Sequence, residues 1–497
     1  MATSIEQARR NVQSGFERAQ AWAESSDRRS FWDFERELWT RLLALGRSLV
    51  VLFLVRAAQR PRAAEYRFAG ERHLLAKKRR TTQLGTRFGK VSFTRPVGRK
   101  IRDRRAACDL PVDRELGLCS GFSLGVVVSM TRLCAQMAFA SARQTFAQFC
   151  EWMPSPRAVL RMVDAVGAEA RSFLEQAPPP ADDGETLVIQ TDGKGAPTIC
   201  KRERARRARP RRASKSKNGR YERRLRRREH PRVRRKPGKK SKNAKVAAVG
   251  VLYTLRHTDE GLEGPVNKRA YATFTSYRAL FTWLHAEAVK RGYGTDKFVR
   301  VLFLADGADT LWDLQQEFFP DAEVCLDWYH VAEKLWAVGK CLHRDDSPEL
   351  EAWVTEQKLR LRRGSFDALM TELTVILEET PLTGPGNKYR RRVLAKTIAH
   401  FDKHRHRMRY QRLRRLDLDI ATGVVEGAVR HIIGIRLDGP GMRWGLDRLE
   451  RVLHLRCILV NGMWDDFARH LAGRQLCLAA QPMPARTHDA KPVKQAA

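Results

Sequence analysis

Apolar residues recur at helical spacing early in the chain, with Phe31, Trp32, Phe34, Leu38, Trp39, Leu42 and Leu43 forming a stripe that fits a core face or an oligomer contact. Residues 1–80 are therefore predicted as a helical N-terminal region, with the periodicity running to about residue 66. Between residues 81 and 101 the pattern becomes alternating, punctuated by Gly85 and Gly89, which predicts a hairpin. Helical spacing returns over 116–167. Two runs, 140–152 and 156–165, flank Met153-Pro154-Ser155-Pro156, where Ser155 suits an N-cap and Pro156 the first helical position. A short hinge between two helices fits both a DNA-reading helix-turn-helix and an ordinary helical hairpin, and the spacing leaves both open. Residues 81–175 thus read as a hairpin plus a helical, DNA-binding region.

Gln176-Ala177-Pro178-Pro179-Pro180-Ala181-Asp182-Asp183-Gly184 breaks both periodicities and reads as a linker over 176–184. Beyond it, strand-like segments fall at 187–191, 244–255, 269–275, 298–305 and 322–327, with helical runs at 277–291, 310–319 and 331–343. Three strands, then helix, strand, helix, strand, helix is the order of a ribonuclease-H-like domain, an α/β mixed sheet with helices on both faces. The expectation is a catalytic domain over 185–343 and 419–475, split by a helical insertion at 344–418. It is preceded by the mainly α N-terminal region and followed by a disordered tail at 476–497.

The composition narrows the partner. A chain of 497 residues, 43% hydrophobic, has material for a large core, yet it carries 94 Lys and Arg against 56 Asp and Glu, a net charge of +38. Such a charge calls for a polyanion, with double-stranded DNA the expected partner and an anionic membrane surface the alternative. Residues 201–245, between the first two strands, hold 24 Lys or Arg and 3 Glu, a net +21. With almost nothing to bury, this insertion is expected to be a phosphate-binding arm using Arg206, Arg207, Arg211, Arg212, Arg223, Arg224, Arg226, Arg227 and Arg228; a solvated loop is the bland reading. The most apolar stretch, 48–55, is bracketed by Arg47 and Arg56 and falls short of the roughly 20 residues of a membrane span. The N-terminus lacks the apolar core of a secretory signal, so a cytoplasmic location, nucleoid-associated in a bacterial cell, is expected. Nine cysteines, an odd number with no C-x-x-C pair, read as reduced thiols and predict no zinc site.

Candidate chemistry lies in three carboxylates. Asp192 follows Leu187-Val188-Ile189-Gln190-Thr191, and Asp306 follows Val299-Arg300-Val301-Leu302-Phe303-Leu304-Ala305. A carboxylate just past an apolar strand leaves the core at the sheet edge, where it can hold a hard cation. Glu426, in a helix-like run, is the candidate third ligand. Each also has a plain reading: Asp-Gly pairs favour turns, and Glu333, Asp417 and Asp419 compete with Glu426.

In Ala305-Asp306-Gly307-Ala308, Asp192-Gly193, Asp327-Trp328-Tyr329-His330, Gly423-Val424-Val425-Glu426, Arg436 and Gly441-Met442-Arg443-Trp444, the chain resembles DDE-type transposases of bacterial insertion sequences, most closely the Kra-type family. The likeness covers roughly residues 80–475 and rests on the joint order of the motifs. It implies two Mg²⁺ ions, replaceable by Mn²⁺, held by Asp192, Asp306 and Glu426, with Asp327 and His330 in supporting roles. It further implies 3′-end cleavage and strand transfer, and a homodimer or larger assembly on DNA. Arg436 and Arg443 are expected either to clamp phosphates or to pair with acids, and Trp444 either to stack on a flipped base or to sit in the core. The chain lacks the cysteine-rich segment common near the hairpin in this broad group, Cys108 and Cys119 having no paired partner.

Overall fold

The computed structural model describes residues 4–25, 30–103, 107–200, 203, 205, 244–474 and 476. The arm arginines from Arg206 to Arg228 and the tail beyond residue 476 lie outside the described residues. The chain divides into two compact units, one of residues 1–169 and 465–497 and the other of 170–464.

In the first unit, helices Ile5–Glu24 and Phe31–Gln59 each start at a serine N-cap, Ser4 and Ser30, whose hydroxyl accepts a first-turn backbone N–H. Strands β1 (Glu65–Phe68) and β2 (Glu71–Leu75) pair antiparallel, and β5 (Gly98–Lys100) joins β2. These strands correct the helical reading of residues 1–80 over its last part. The predicted hairpin is β3 (Arg80–Thr86) and β4 (Gly89–Arg95), turning at Thr86 and Gly89. Alternate residues Val91 and Phe93 enter a core with Leu54, Ala58, Leu84 and Val112. By length and composition Phe31–Gln59 is apolar enough to cross a membrane, which corrects the sequence expectation that no stretch approaches that length. Its Leu54 and Ala58 pack into this core.

Helices Phe139–Cys150 and Pro156–Gln176 flank the expected hinge, where the Ser155 hydroxyl accepts the Ala158 N–H at 3.2 Å. The hinge is pinned to the hairpin: Trp152 donates its indole N–H to the Thr86 carbonyl at 2.9 Å and meets Phe146 edge-on. Val159, Met162, Val163 and Val166 give the second helix a fully buried face.

The second unit is built on five strands: β6 (Thr186–Pro197), β7 (Ala244–Thr258), β8 (Gly261–Thr273), β9 (Arg300–Ala305) and β10 (Glu323–Leu326). Their order is β10-β9-β6-β7-β8, with β6, β9 and β10 parallel and β7 antiparallel to both neighbours. Leu187, Val188, Ile189, Leu302, Phe303 and Leu304 are wholly buried, the continuous apolar run of strands covered on both faces. Helix Tyr277–Arg291 links β8 to β9 and helix Asp309–Phe318 links β9 to β10. Helices Trp328–Leu342, Pro348–Arg362, Phe366–Glu379 and Asn387–His404 follow, then a 3₁₀ turn at Arg405–Arg407 and helix Tyr410–Arg415. Helix Gly423–Val429 runs through a π turn at Arg430–Gly434, and Leu446–Val460 packs on β8. From Asp465 the chain belongs to the first unit, so helix Trp464–Ala472 lies largely outside the unit that 419–475 was expected to complete.

A buried ionic cluster ties β8, its following helix and the 176–184 segment together. Glu287, 1% exposed, accepts from Arg269 at 2.6 Å and from Arg291 at 3.1 Å, and Arg291 also reaches Asp183 at 3.4 Å. Burial lowers the pKa of Arg291, against which Glu287 and Asp183 hold its charge. Removing one member of such a cluster strands the others. Glu287→Ala is therefore expected to cost about 3–5 kcal/mol in urea unfolding of this unit; an unshifted midpoint would show the cluster to be dispensable.

Candidate active site

The strand register lines up three aspartates. In the parallel ladder Gln190 of β6 is partnered with Leu304 of β9, and Ala305 with Leu326 of β10. Stepping both registers onward puts Asp192, Asp306 and Asp327 at equivalent positions at the C-terminal ends of three neighbouring parallel strands, which lie about 4.8 Å apart. The Asp327 N–H still bonds the Ala305 carbonyl at 3.0 Å. Asp192 is a strand end only toward β9. Toward β7 the strand continues to Pro197, and Asp192 is paired with Val249.

The three carboxyls differ in environment. Asp327 is fully buried, and both its oxygens are taken: Oδ1 accepts the Thr422 N–H at 2.8 Å, while Oδ2 accepts the His330 N–H at 2.9 Å and meets His330 Nδ1 at 2.6 Å. Burial pushes its pKa up, but the hydrogen bonds from His330 and Thr422 outweigh it and hold the carboxyl below its usual value. Asp306 accepts the Ala308 N–H at 2.9 Å, closing the turn of Ala305-Asp306-Gly307-Ala308. Asp192 is partly buried. Burial raises its pKa, the Gly193 N–H opposes this, and the charges of Asp306 and Asp327 raise it further.

Glu426 joins the same field from helix Gly423–Val429. Burial and then the charges of Asp327 and Asp192 raise its pKa. Two buried anchors set that helix in place. Asp327 holds the Thr422 N–H just before its start. Gln190, fully buried, accepts the Val425 N–H at 3.0 Å and donates to the Ala421 carbonyl at 3.3 Å and to Tyr253 Oη at 3.0 Å. Tyr253 in turn donates to Asp419 at 2.9 Å, so this competitor of Glu426 has a structural partner.

Gln190 and two other neighbours escaped the sequence reading. A glutamine inside Leu187-Val188-Ile189-Gln190-Thr191 was the available signal, since a polar group in an apolar strand needs partners. Tyr277 lies so close to Gly193 that a β-carbon there would fall 2.2 Å from its hydroxyl, and burial with the Asp306 and Asp192 charges pushes its pKa up to about 12. His400, from the helical insertion, packs on Gly307 in the same way, 2.2 Å from a would-be β-carbon. Burial, then Lys334, His404 and His330, lower its pKa to about 4, and its buried Nε2 has no hydrogen-bond partner among the described residues.

The expected DNA contacts divide. Arg443 is exposed. Arg436 is 1% exposed, with its guanidinium 4.8 Å over the Trp444 ring, so the expectation that it reaches a phosphate is corrected. Trp444 takes the core alternative: it is 6% exposed and donates its indole N–H to the Leu437 carbonyl at 2.9 Å. Its backbone pairs with Pro197 and Ile199, just before the basic arm.

Among the described residues, no three His, Cys, Asp or Glu side chains stand in a ready metal-ligating group. The donors nonetheless suit a hard divalent cation. They are all oxygen, and Asp192 and Glu426 carry pKa values raised in part by neighbouring negative charge, which a cation would reverse. No family model matches the chain, and no curated protein matches it.

Gln190→Ala is expected to cost roughly 1–3 kcal/mol by leaving the Val425 N–H unanswered. Hydrogen exchange at Val425 should speed up, and unchanged protection there would remove Gln190 from its anchoring role. His330 is raised to about 9, first by its hydrogen bond to Asp327, against burial. A group raised on folding stabilises below its unfolded value, so this pair supports the fold below pH ~6.5 and its contribution fades as pH rises through about 9. The His330 ring resonance should titrate near that upper value and move toward 6.5 in Asp327→Asn; a midpoint near 6.5 in the parent would contradict the pairing.

Proposed function

We propose that this chain is a DNA transposase with a ribonuclease-H-like catalytic domain, performing metal-dependent 3′-end cleavage and strand transfer at Asp192, Asp306 and Glu426. The observation that carries the reading is the alignment of Asp192 and Asp306 in register on neighbouring parallel strands, with Glu426 docked beside them through Gln190 and Asp327. An antiparallel β6-β7-β8 meander extended by parallel β9 and β10 supports the ribonuclease-H-like assignment. The net charge of +38 supports DNA as the substrate.

Asp192, Asp306 and Glu426 would hold Mg²⁺, with Mn²⁺ able to substitute. Bound there, the metal supplies an activated water or 3′-hydroxyl and charge stabilisation at the scissile phosphate. Asp192 and Asp306 present oxygens from rigid strand ends, and Glu426 presents its own from a helix that closes over them. Asp327 positions both His330 and the start of that helix. Gly193 and Gly307 leave room for Tyr277 and His400 beside the reacting strand. No covalent protein intermediate is needed, and a homodimer or larger assembly on DNA would pair two element ends.

The test is Mg²⁺-dependent cleavage and joining of a labelled duplex carrying the ends of the element that encodes the chain. Asp192→Asn, Asp306→Ala and Glu426→Gln are each expected to abolish both steps while leaving DNA binding intact. Because Asp192 and Glu426 are shifted upward, the Mg²⁺ concentration needed should rise as pH falls. Cutting without joining would assign a nuclease of the same fold. Binding without either step would assign a catalytically silent DNA-binding protein.

A further inference from the structure

A second basic stretch lies within the described residues, far in sequence from the arm. Residues 403–415 hold Lys403, Arg405, Arg407, Arg409, Arg412, Arg414 and Arg415, with no Asp or Glu among them. Three of these cations have acids on other elements: Lys403 pairs with Asp309, Arg405 with Asp367 and Arg412 with Glu323. Arg407 lies over the Trp312 ring at 4.2 Å. Arg409, Arg414 and Arg415 are exposed, and no ion pair is formed by them among the described residues. A solvated surface rarely needs three unopposed arginines beside four further cations.

The surface is also shaped and anchored. A cavity of about 530 Å³ is walled by Gly364, Phe366, Arg405, His406, Arg409 and Arg412. Gly364 has φ of +83°, and a β-carbon there would fall 2.6 Å from Gln411, so the wall depends on that residue being glycine. The segment is fixed to the catalytic edge. Tyr410, wholly buried, donates its hydroxyl to the Leu326 carbonyl at 2.8 Å and meets Trp328 edge-on at 5.0 Å. Leu326 and Trp328 flank Asp327. The arginines therefore stand at a set distance from the carboxylates.

We infer that this surface is a second DNA-backbone site, in which Arg409, Arg414 and Arg415 contact phosphates of a duplex whose scissile bond lies at the carboxylate edge. Arg409 caps the start of helix Tyr410–Arg415 and Arg414 and Arg415 end it, so the three cations mark both ends of one short element. Guanidinium groups suit phosphate oxygens through paired N–H donors, and contacts of this kind set register without reading sequence. The site rests on the transposase reading for its substrate and adds a fixed grip within the catalytic unit.

The experiment uses the full chain carrying Asp306→Ala, so that binding is read without cleavage, and a 30-base-pair duplex of arbitrary sequence as probe. The triple variant Arg409→Gln, Arg414→Gln, Arg415→Gln should bind at least about tenfold more weakly near 0.1 M salt, and the slope of log affinity against log salt should shrink by about 2–3. Its melting temperature should match that of the parent, since all three side chains are exposed. An affinity and salt slope equal to the parent's would overturn this site while leaving the transposase reading standing. A parent that fails to bind the duplex would overturn both. Loss of binding to an RNA duplex but not to DNA would overturn the assignment to DNA.

Discussion

A carboxylate taken out of water needs a donor at each oxygen, and Asp327 meets that requirement by recruiting from two directions. One oxygen takes the Thr422 N–H and the other takes His330. The same residue directly follows β10 and caps helix Trp328–Leu342. Strand, helix and the distant 419–426 segment thus meet at one buried charge. Gln190 repeats the device on β6, spending an amide on the Val425 N–H and the Ala421 carbonyl. Between them, these two side chains determine where Glu426 stands relative to Asp192 and Asp306.

The arrangement separates support from chemistry. Asp327 sits in the same row as Asp192 and Asp306, yet its oxygens are committed and its charge is stabilised. Asp192 and Glu426 are left with raised pKa values. Burial first, and neighbouring carboxylates after it, disfavour the charged forms of these two groups.

Parts of this were readable in the chain. Asp192 and Asp306 each follow an apolar run and precede a glycine, so their position past strands was visible. Their alignment across β6 and β9 was not, because register is decided by tertiary pairing. Glu426 stood out only through its motif, since an exposed helical glutamate has no local signature. Arg436 misled because composition does not reveal that Trp444 covers it. Strands β1 and β2 were hidden in a charged stretch of Arg, Ala and Glu with no long apolar alternation. The first half of β8, Gly261 to Lys268, is likewise polar, and its pairing with β7 supplies what its sequence lacks.

The zipper between β6 and β7 has a consequence for how such a chain changes over time. The two strands stay paired up to Pro197 and Ala244, so the chain positions that bound the intervening segment are neighbours. Closing a longer or shorter segment across that gap alters the entropy only logarithmically, about 0.6 kcal/mol for each doubling of length. The five-stranded sheet is insulated from a change of length there. A change of length between Pro197 and Ala244 therefore costs the sheet little, and the carboxylates keep their places.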